Sequence, residues 1–292
     1  MTTYRSALTS AHITALLFGL TGIFGALIHA SASTITFGRA TFAVFALAVF
    51  AVLRGKSLFF DMTLRKLSTY VFGGLLLTSH WASFFIAVKV GGVAVATLGF
   101  ASFPAMIALL DTLIFRERLR ISEVILLLLV TVGLVLVTPS LDLANQGTVG
   151  LLWGLGSGLS FGLLAMTNRR LGKGADAVQI SFWQNFTVFA VMMPFAAFEL
   201  VELGTLDWIN MALLGIFCTG LSQYLFVKSL EGMNARSAGM VISLEPVYAI
   251  ACAWWLFSEV PSLRMLAGAG LIVLAIVLSA QFKPEQAGAS AH

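Results

Sequence analysis

A few polar side chains stand inside long apolar runs of this 292-residue chain, and they are the groups able to do chemistry. His80 and Trp81 sit together, as do Gln184 and Asn185, Gln223 and Tyr224, and Ser243 with Glu245. Asp111 lies toward one end of another run. Polar groups at membrane depth are costly and mark function. An imidazole, an amide or a hydroxyl can hold and orient a polar solute, and a carboxyl can take and release a proton. Two motifs offer other chemistry and fail on context. Gly158-Leu159-Ser160-Phe161-Gly162 fits the nucleophile elbow, which needs a strand–turn–helix and here lies within an apolar run. Asn185-Phe186-Thr187 fits a glycosylation sequon at a depth that chemistry does not reach. There is no His-Glu-x-x-His, Walker A, Cys-x-x-Cys or metal-spaced histidine cluster, so neither a metal nor a cofactor is expected. With no paired catalytic constellation, an enzyme is not expected either.

The elements that must position these groups are membrane helices. The chain is 59% hydrophobic and 10% charged, against about 25% charged in a soluble domain. Ten apolar segments have spanning length: about 12–30, 34–53, 67–88, 93–115, 121–138, 148–168, 178–198, 207–227, 236–257 and 262–281. Cationic residues fill alternate gaps: Arg5; Arg54, Lys56, Arg65 and Lys66; Arg116, Arg118 and Arg120; Arg169, Arg170 and Lys173; Lys228 and Arg236; Lys283. The other gaps hold only Lys89 and Arg264, and Arg39 lies inside the second segment. Short cytoplasmic loops retain positive charge, so both termini are expected to be cytoplasmic. The net charge of +4 is orientation charge rather than a nucleic-acid footprint. Cys218 and Cys252 fall within helices and are expected as free thiols. The first segment has signal-peptide features, Arg5 before an apolar run and Ala30-Ser31-Ala32 after it. Its removal would leave nine helices and an unmatched second half.

The halves repeat. A shift of 142 positions lays Pro104 on Pro246, Phe115 on Phe257 and Glu117 on Glu259, and takes His80 to Ser222 and Phe103 to Glu245. Farther upstream the shift is 145, which lays Arg39 on Gln184. The expected domains are therefore 1–142 and 143–292. Each holds five helices, an odd number, so the second copy enters the membrane inverted. Inverted repeats are a hallmark of secondary transporters with a midplane site between the halves.

With Arg39 early in helix 2, the paired prolines and the paired Phe115-Arg116-Glu117 and Phe257-Ser258-Glu259 ends, the chain resembles the drug/metabolite transporter superfamily, in its ten-helix EamA-type branch. Within it the chain looks most like the amino-acid exporters, including the YddG-like aromatic group. The resemblance implies an all-α fold around a central cavity, and export of small organic solutes across the inner membrane. Its helices 1–4 and 6–9 surround that cavity. On this reading His80, Gln184, Gln223, Tyr224 and Ser243 supply the polar part of the cavity, and Trp81, Phe84, Phe100, Phe103 and Trp153 its wall. Glu245 is a candidate proton carrier. Arg39, Pro104, Pro246, Glu117 and Glu259 are structural or gating residues, with the glutamates capping or pairing at interfacial turns.

Efflux of cationic drugs is the alternative within this class; an intramembrane enzyme and a channel are the alternatives outside it. The expected partners are a small-molecule substrate and the lipid bilayer, not nucleic acid. Monomer and homodimer both stay open. Gly154, Gly158 and Gly162 lie at i, i+4, i+8 on one face of helix 6, where a neighbouring backbone can approach closely.

Overall fold

In lipid every backbone N–H and C=O must find a partner within the protein, which leaves the helix as the spanning solution for apolar segments of this length. The computed structural model describes residues 4–115, 121–138, 142–170, 176–229, 241 and 244–281. Among them are twelve α-helices: α1 Tyr4–Leu27, α2 Ala32–Leu53, α3 Leu64–Gly91, α4 Val93–Phe100, α5 Phe103–Phe115, α6 Ile121–Val137, α7 Gln146–Arg170, α8 Ala177–Ala196, α9 Thr205–Gly215, α10 Ser222–Ser229, α11 Glu245–Phe257 and α12 Leu263–Gln281. A π-helical turn, Ile216–Leu221, joins α9 to α10. These fill the ten predicted crossings. Helix 4 is α4 plus α5, helix 8 is α9 to α10 through the π turn, and helix 9 ends in α11.

Three expected boundaries change. Helix 1 begins at Tyr4 rather than near 12, so Arg5 lies on the helix and not before it. Apolarity marks where a helix meets hydrocarbon, whereas the helix itself continues until its hydrogen bonding stops. The predicted continuous helix 4 is broken at Ala101–Ser102, and the described helix of segment nine starts only at Glu245. In both repeats the proline stands second in the new helix, Phe103-Pro104 and Glu245-Pro246. That position suits a residue with no N–H to donate, so the paired prolines start helices rather than kink them. Helix starts elsewhere are capped as their sequences dictate: the Ser31, Thr63 and Asp176 side chains accept from the backbone N–H of Thr34, Lys66 and Val178. Gly92 joins α3 to α4 at φ +83°, a conformation that favours glycine.

The packing shows the inverted repeat. α3 lies on α7, and α10 on α1; α4 on α7, and α11 on α1; α3 on α8, and α2 on α9. Each pair becomes the other when every crossing advances by five. α2 on α8, α4 on α11 and α6 on α12 map onto themselves. The correspondence reaches single bonds. Ser157 Oγ donates to the backbone carbonyl of His80 (3.0 Å), and Thr14 Oγ1 to that of Ser222 (3.3 Å). Gly19 faces the backbone nitrogen of Ala249, and Gly162 that of Ile107.

The expected glycine face of helix 6 is present. A Cβ on Gly154 would meet Ala96 O at 3.0 Å, and one on Gly158 would meet Phe100 O at 3.1 Å. Gly150 extends the face, with Gly91 Cα 2.5 Å from such an atom. The largest buried cluster, including Phe84, Phe85, Leu164, Val188, Met211 and Ala249, ties helices 1–4 and 6–9 together.

Candidate functional site

The start of α11 sets one pole of the site. Glu245 opens this helix, where the helix dipole favours an anion. The sequence places this carboxylate at the middle of a continuous helix; in the structure it is the first residue of α11. One turn of α1 fixes its depth. Gly19 lies against Glu245 O, Thr21 lies beside Cys218, and Gly22 lies 3.7 Å (as a built Cβ) from the Phe84 ring. Glu245, the π turn and α3 therefore meet at one level.

Arg39 supplies the other pole. It is buried on α2, its Nε donates to Thr219 Oγ1 (2.8 Å), and its Cζ lies 4.0 Å from the centroid of Trp81. A guanidinium stacked on indole is held flat and oriented. The π turn aims Thr219 at it, and Thr219 Oγ1 in turn donates to Leu214 O (3.2 Å), across the widened turn. π-bulges of this kind recur at functional sites. No ion pair joins Arg39 to Glu245 within 4.0 Å among the described residues.

His80 lies between these poles and an aromatic cluster. Its Nδ1 is 2.7 Å from Ser157 Oγ, whose hydroxyl donates to the His80 carbonyl. A carbonyl can only accept, so the serine proton is committed there and Nδ1–H is the donor to Oγ. In the neutral ring this assignment from the hydrogen-bond network leaves Nε2 as a bare acceptor. The ring packs on Phe100 (centroids 4.9 Å) and Phe161 (5.1 Å). Phe100 also meets Phe84 and Phe103, and Phe103 meets Phe161.

The structure thus brings His80, Phe84, Phe100 and Phe103 into one aromatic cluster and stacks Arg39 on Trp81, with the backbone of Glu245 against Gly19 of α1. Trp153 stands outside the cluster: it is 43% exposed beside the exposed Leu152. Gln184, the repeat counterpart of Arg39, is tied to Asn168 (2.7 Å) and packed on Gly73. Gln223 and Tyr224 lie on α10, their side chains outside the described part; Ser243 and Glu117 lie outside the described residues. Glu259 sits over the start of α4, with both carboxylate oxygens 3.3 Å from a Cβ built on Gly92. Ser160 lies inside α7, donating to Gly156 O and touching Ser79 Oγ, not on an elbow. Cys218 and Cys252 are free.

Sequence reasoning missed Ser157, Phe161 and Thr219. Ser157 had a signal, since it stands opposite Thr14 in the repeat. Thr219 had none, because the extra residue of a π turn leaves no mark on hydrophobic pattern.

Each end of the bundle carries its own polar cluster. At one end Lys56 pairs with Asp176 (2.8 Å), and the carbonyls of Leu58 and Phe60 accept from Gln179 and Trp183. At the other, Glu199 accepts from the N–H and hydroxyl of Ser31 and from Thr34, Lys89 donates to Ile28 O, and Asp207 accepts from the N–H of His29. Burial raises the Glu199 pKa, but the Ser31 and Thr34 hydrogen bonds outweigh it and hold the carboxyl below its ordinary value. The α1–α2 turn is thereby fastened to α3, α9 and the segment after α8.

The model of the EamA-like transporter family matches twice, over residues 5–138 and 148–281. An uncharacterized transporter of Archaeoglobus fulgidus is 26% identical over 270 residues, 91% of this chain and 93% of that one. Two from Bacillus subtilis, YxxF and YwfM, are each 25% identical, over 61% and 72% of this chain; the alignment spans 58% of YxxF and 72% of YwfM. A solved crystal structure superposes with a TM-score of 0.63 at 18% identity, covering 94% of this chain and 96% of that one, and shows the same fold. The chain is a multi-pass membrane protein and belongs to the EamA-like transporter family, whose function is secondary transport of small solutes rather than catalysis.

Proposed function

We propose that the protein exports neutral and aromatic amino acids across the bacterial inner membrane by alternating access, as a YddG-like carrier with both termini cytoplasmic. The observation that carries this reading is the two-sided centre. His80 packs on the Phe84–Phe100–Phe103–Phe161 cluster, Arg39 stacks on the neighbouring Trp81, and Glu245 opens α11 at a matching level. A few polar groups beside an aromatic surface suit a solute with one charged end and one apolar end. The halves 1–142 and 143–292 are the units that would rock about it, and their matching contacts give outward and inward forms of similar energy.

Efflux of cationic drugs fits the aromatic cluster and the Glu245 carboxylate, but Arg39 repels a cation entering the same space. Purified protein in liposomes tests the choice. Saturable counterflow of phenylalanine, tyrosine or leucine, with none for sugars, is the expected result. Counterflow of lipophilic amines without amino acids would assign drug efflux instead, and non-saturable flux would mean a channel.

A further inference from the structure

Arg39 is buried and Glu245 half-buried, and among the described residues neither charge is satisfied by the other. Arg39 is 6% exposed and offers five donors; among the described residues one is used, Nε on Thr219, while the flat face rests on Trp81. Its two terminal amines carry no hydrogen bond there. Glu245 has no side-chain hydrogen-bond or ion-pair partner among the described residues. The one fully enclosed, unpartnered side-chain nitrogen or oxygen among those residues is Asn185 Oδ1. The Arg39 amines and the Glu245 oxygens are therefore not sealed by packing and stay open to a ligand. A desolvated charge held apart from its opposite is costly, and a ligand bringing both complementary charges relieves both costs at once.

We infer that Arg39 and Glu245 are the two poles of a zwitterion site: the Arg39 fork holds the substrate carboxylate and Glu245 holds its ammonium. This rests on the amino-acid reading above. Arg39 is preorganised for a planar, two-point grip, because Thr219 fixes one edge and Trp81 fixes the plane. Glu245 opens α11, and the depth of its backbone matches Phe84 through the α1 turn at Gly19–Gly22. The apolar end of the substrate then falls on Phe84, Phe100 and Phe161. Selection follows from charge. An amine leaves Arg39 unpaired and adds repulsion, an organic acid does the same to Glu245, and only a zwitterion matches both.

The test compares binding of phenylalanine, phenylalaninamide and 3-phenylpropionate to purified protein in nanodiscs by calorimetry. Wild type should prefer phenylalanine to either by at least about tenfold, the scale of one lost charged hydrogen bond. Arg39→Gln should erase the preference over the amide and keep the preference over 3-phenylpropionate. Glu245→Gln should do the reverse. Arg39→Lys and Glu245→Asp, which keep the charge, should retain part of each preference and serve where a neutral variant fails to fold. Both preferences falling together, or neither changing, would overturn the assignment and leave the amino-acid reading standing. Wild type that binds none of the three, with leucine and tyrosine also silent, would overturn both.

Discussion

His80 shows what one residue contributes beyond its type. Its backbone carbonyl and Nδ1 are both engaged by Ser157, so the ring is locked and Nε2 is the end free to meet a solute. The pseudo-equivalent Ser222 keeps the backbone half of this arrangement with Thr14 and has no ring to orient. The backbone bond is thus structural in both repeats, and the imidazole is what the first repeat adds. His80→Ala is expected to lower counterflow at least about tenfold, while its stability cost stays within the ordinary range of about 0.5–3 kcal/mol. Ser157→Ala keeps the ring but frees its tautomer, and should lie between wild type and His80→Ala. Counterflow and thermal melting of the three proteins check this; wild-type counterflow from folded His80→Ala would remove His80 from the site. The importance of His80 was legible because an imidazole in an apolar run has few inexpensive explanations. Its partner and its orientation were not, since they depend on which residue of α7 faces α3.

Elements were legible to different degrees, for a physical reason. Ten crossings, the charge alternation and the repeat all follow from partition into lipid, which acts on composition and leaves a periodic record. Helix interruptions follow from local backbone geometry, which leaves only a proline or nothing at all. Pro104 and Pro246 mark the helix starts in the sequence, whereas the π turn at Ile216–Leu221 leaves no mark there. Close helix packing was read correctly from glycine spacing, and it can be graded. A methyl on Gly150 would meet backbone at 2.5–2.7 Å, whereas one on Gly156 meets nothing within 4 Å. Gly150→Ala should lower stability by about 1–3 kcal/mol. Gly156→Ala should be neutral or stabilise by up to about 1 kcal/mol through helix propensity. Melting of the two single mutants side by side checks the contrast.

The cluster on Glu199 is a second element-scale device, one that fastens the α1–α2 turn. With its carboxyl held below the ordinary value, the fastening is complete above the normal carboxylate range and is lost only as pH falls through the lowered value. Acidification from pH 7 to pH 5 should therefore leave this end shut, and Glu199→Ala should loosen it. Spin labels at Ala32 and Glu202 would report a narrow distance distribution in the parent at both pH values and a broadened one in the variant. A distribution that widens between pH 7 and 5 would contradict the assignment.

At the scale of the whole molecule, orientation and coupling each make a testable prediction. The 54–63 segment meets the start of α8, so two of the cation-rich gaps lie at one end, as the charge alternation predicts. Single cysteines at Lys56 and Gln146 in a Cys-free background should then label from opposite sides of a sealed membrane, Lys56 from the cytoplasmic side. Coupling is the sharper question, because the symmetry that lets the halves exchange roles is broken at the site. Arg39 has Gln184 as its counterpart, His80 has Ser222 and Glu245 has Phe103, so any proton path runs through one half alone. Glu245 is the carboxyl we assign to it. Glu245→Gln mimics the protonated form and takes no part in net proton movement. At saturating substrate it should still support counterflow, yet fail to accumulate substrate against its gradient when a pH difference is imposed. Accumulation by the variant would place the coupling group elsewhere. A wild type indifferent to the pH difference would make the protein a facilitator, with Glu245 serving binding alone.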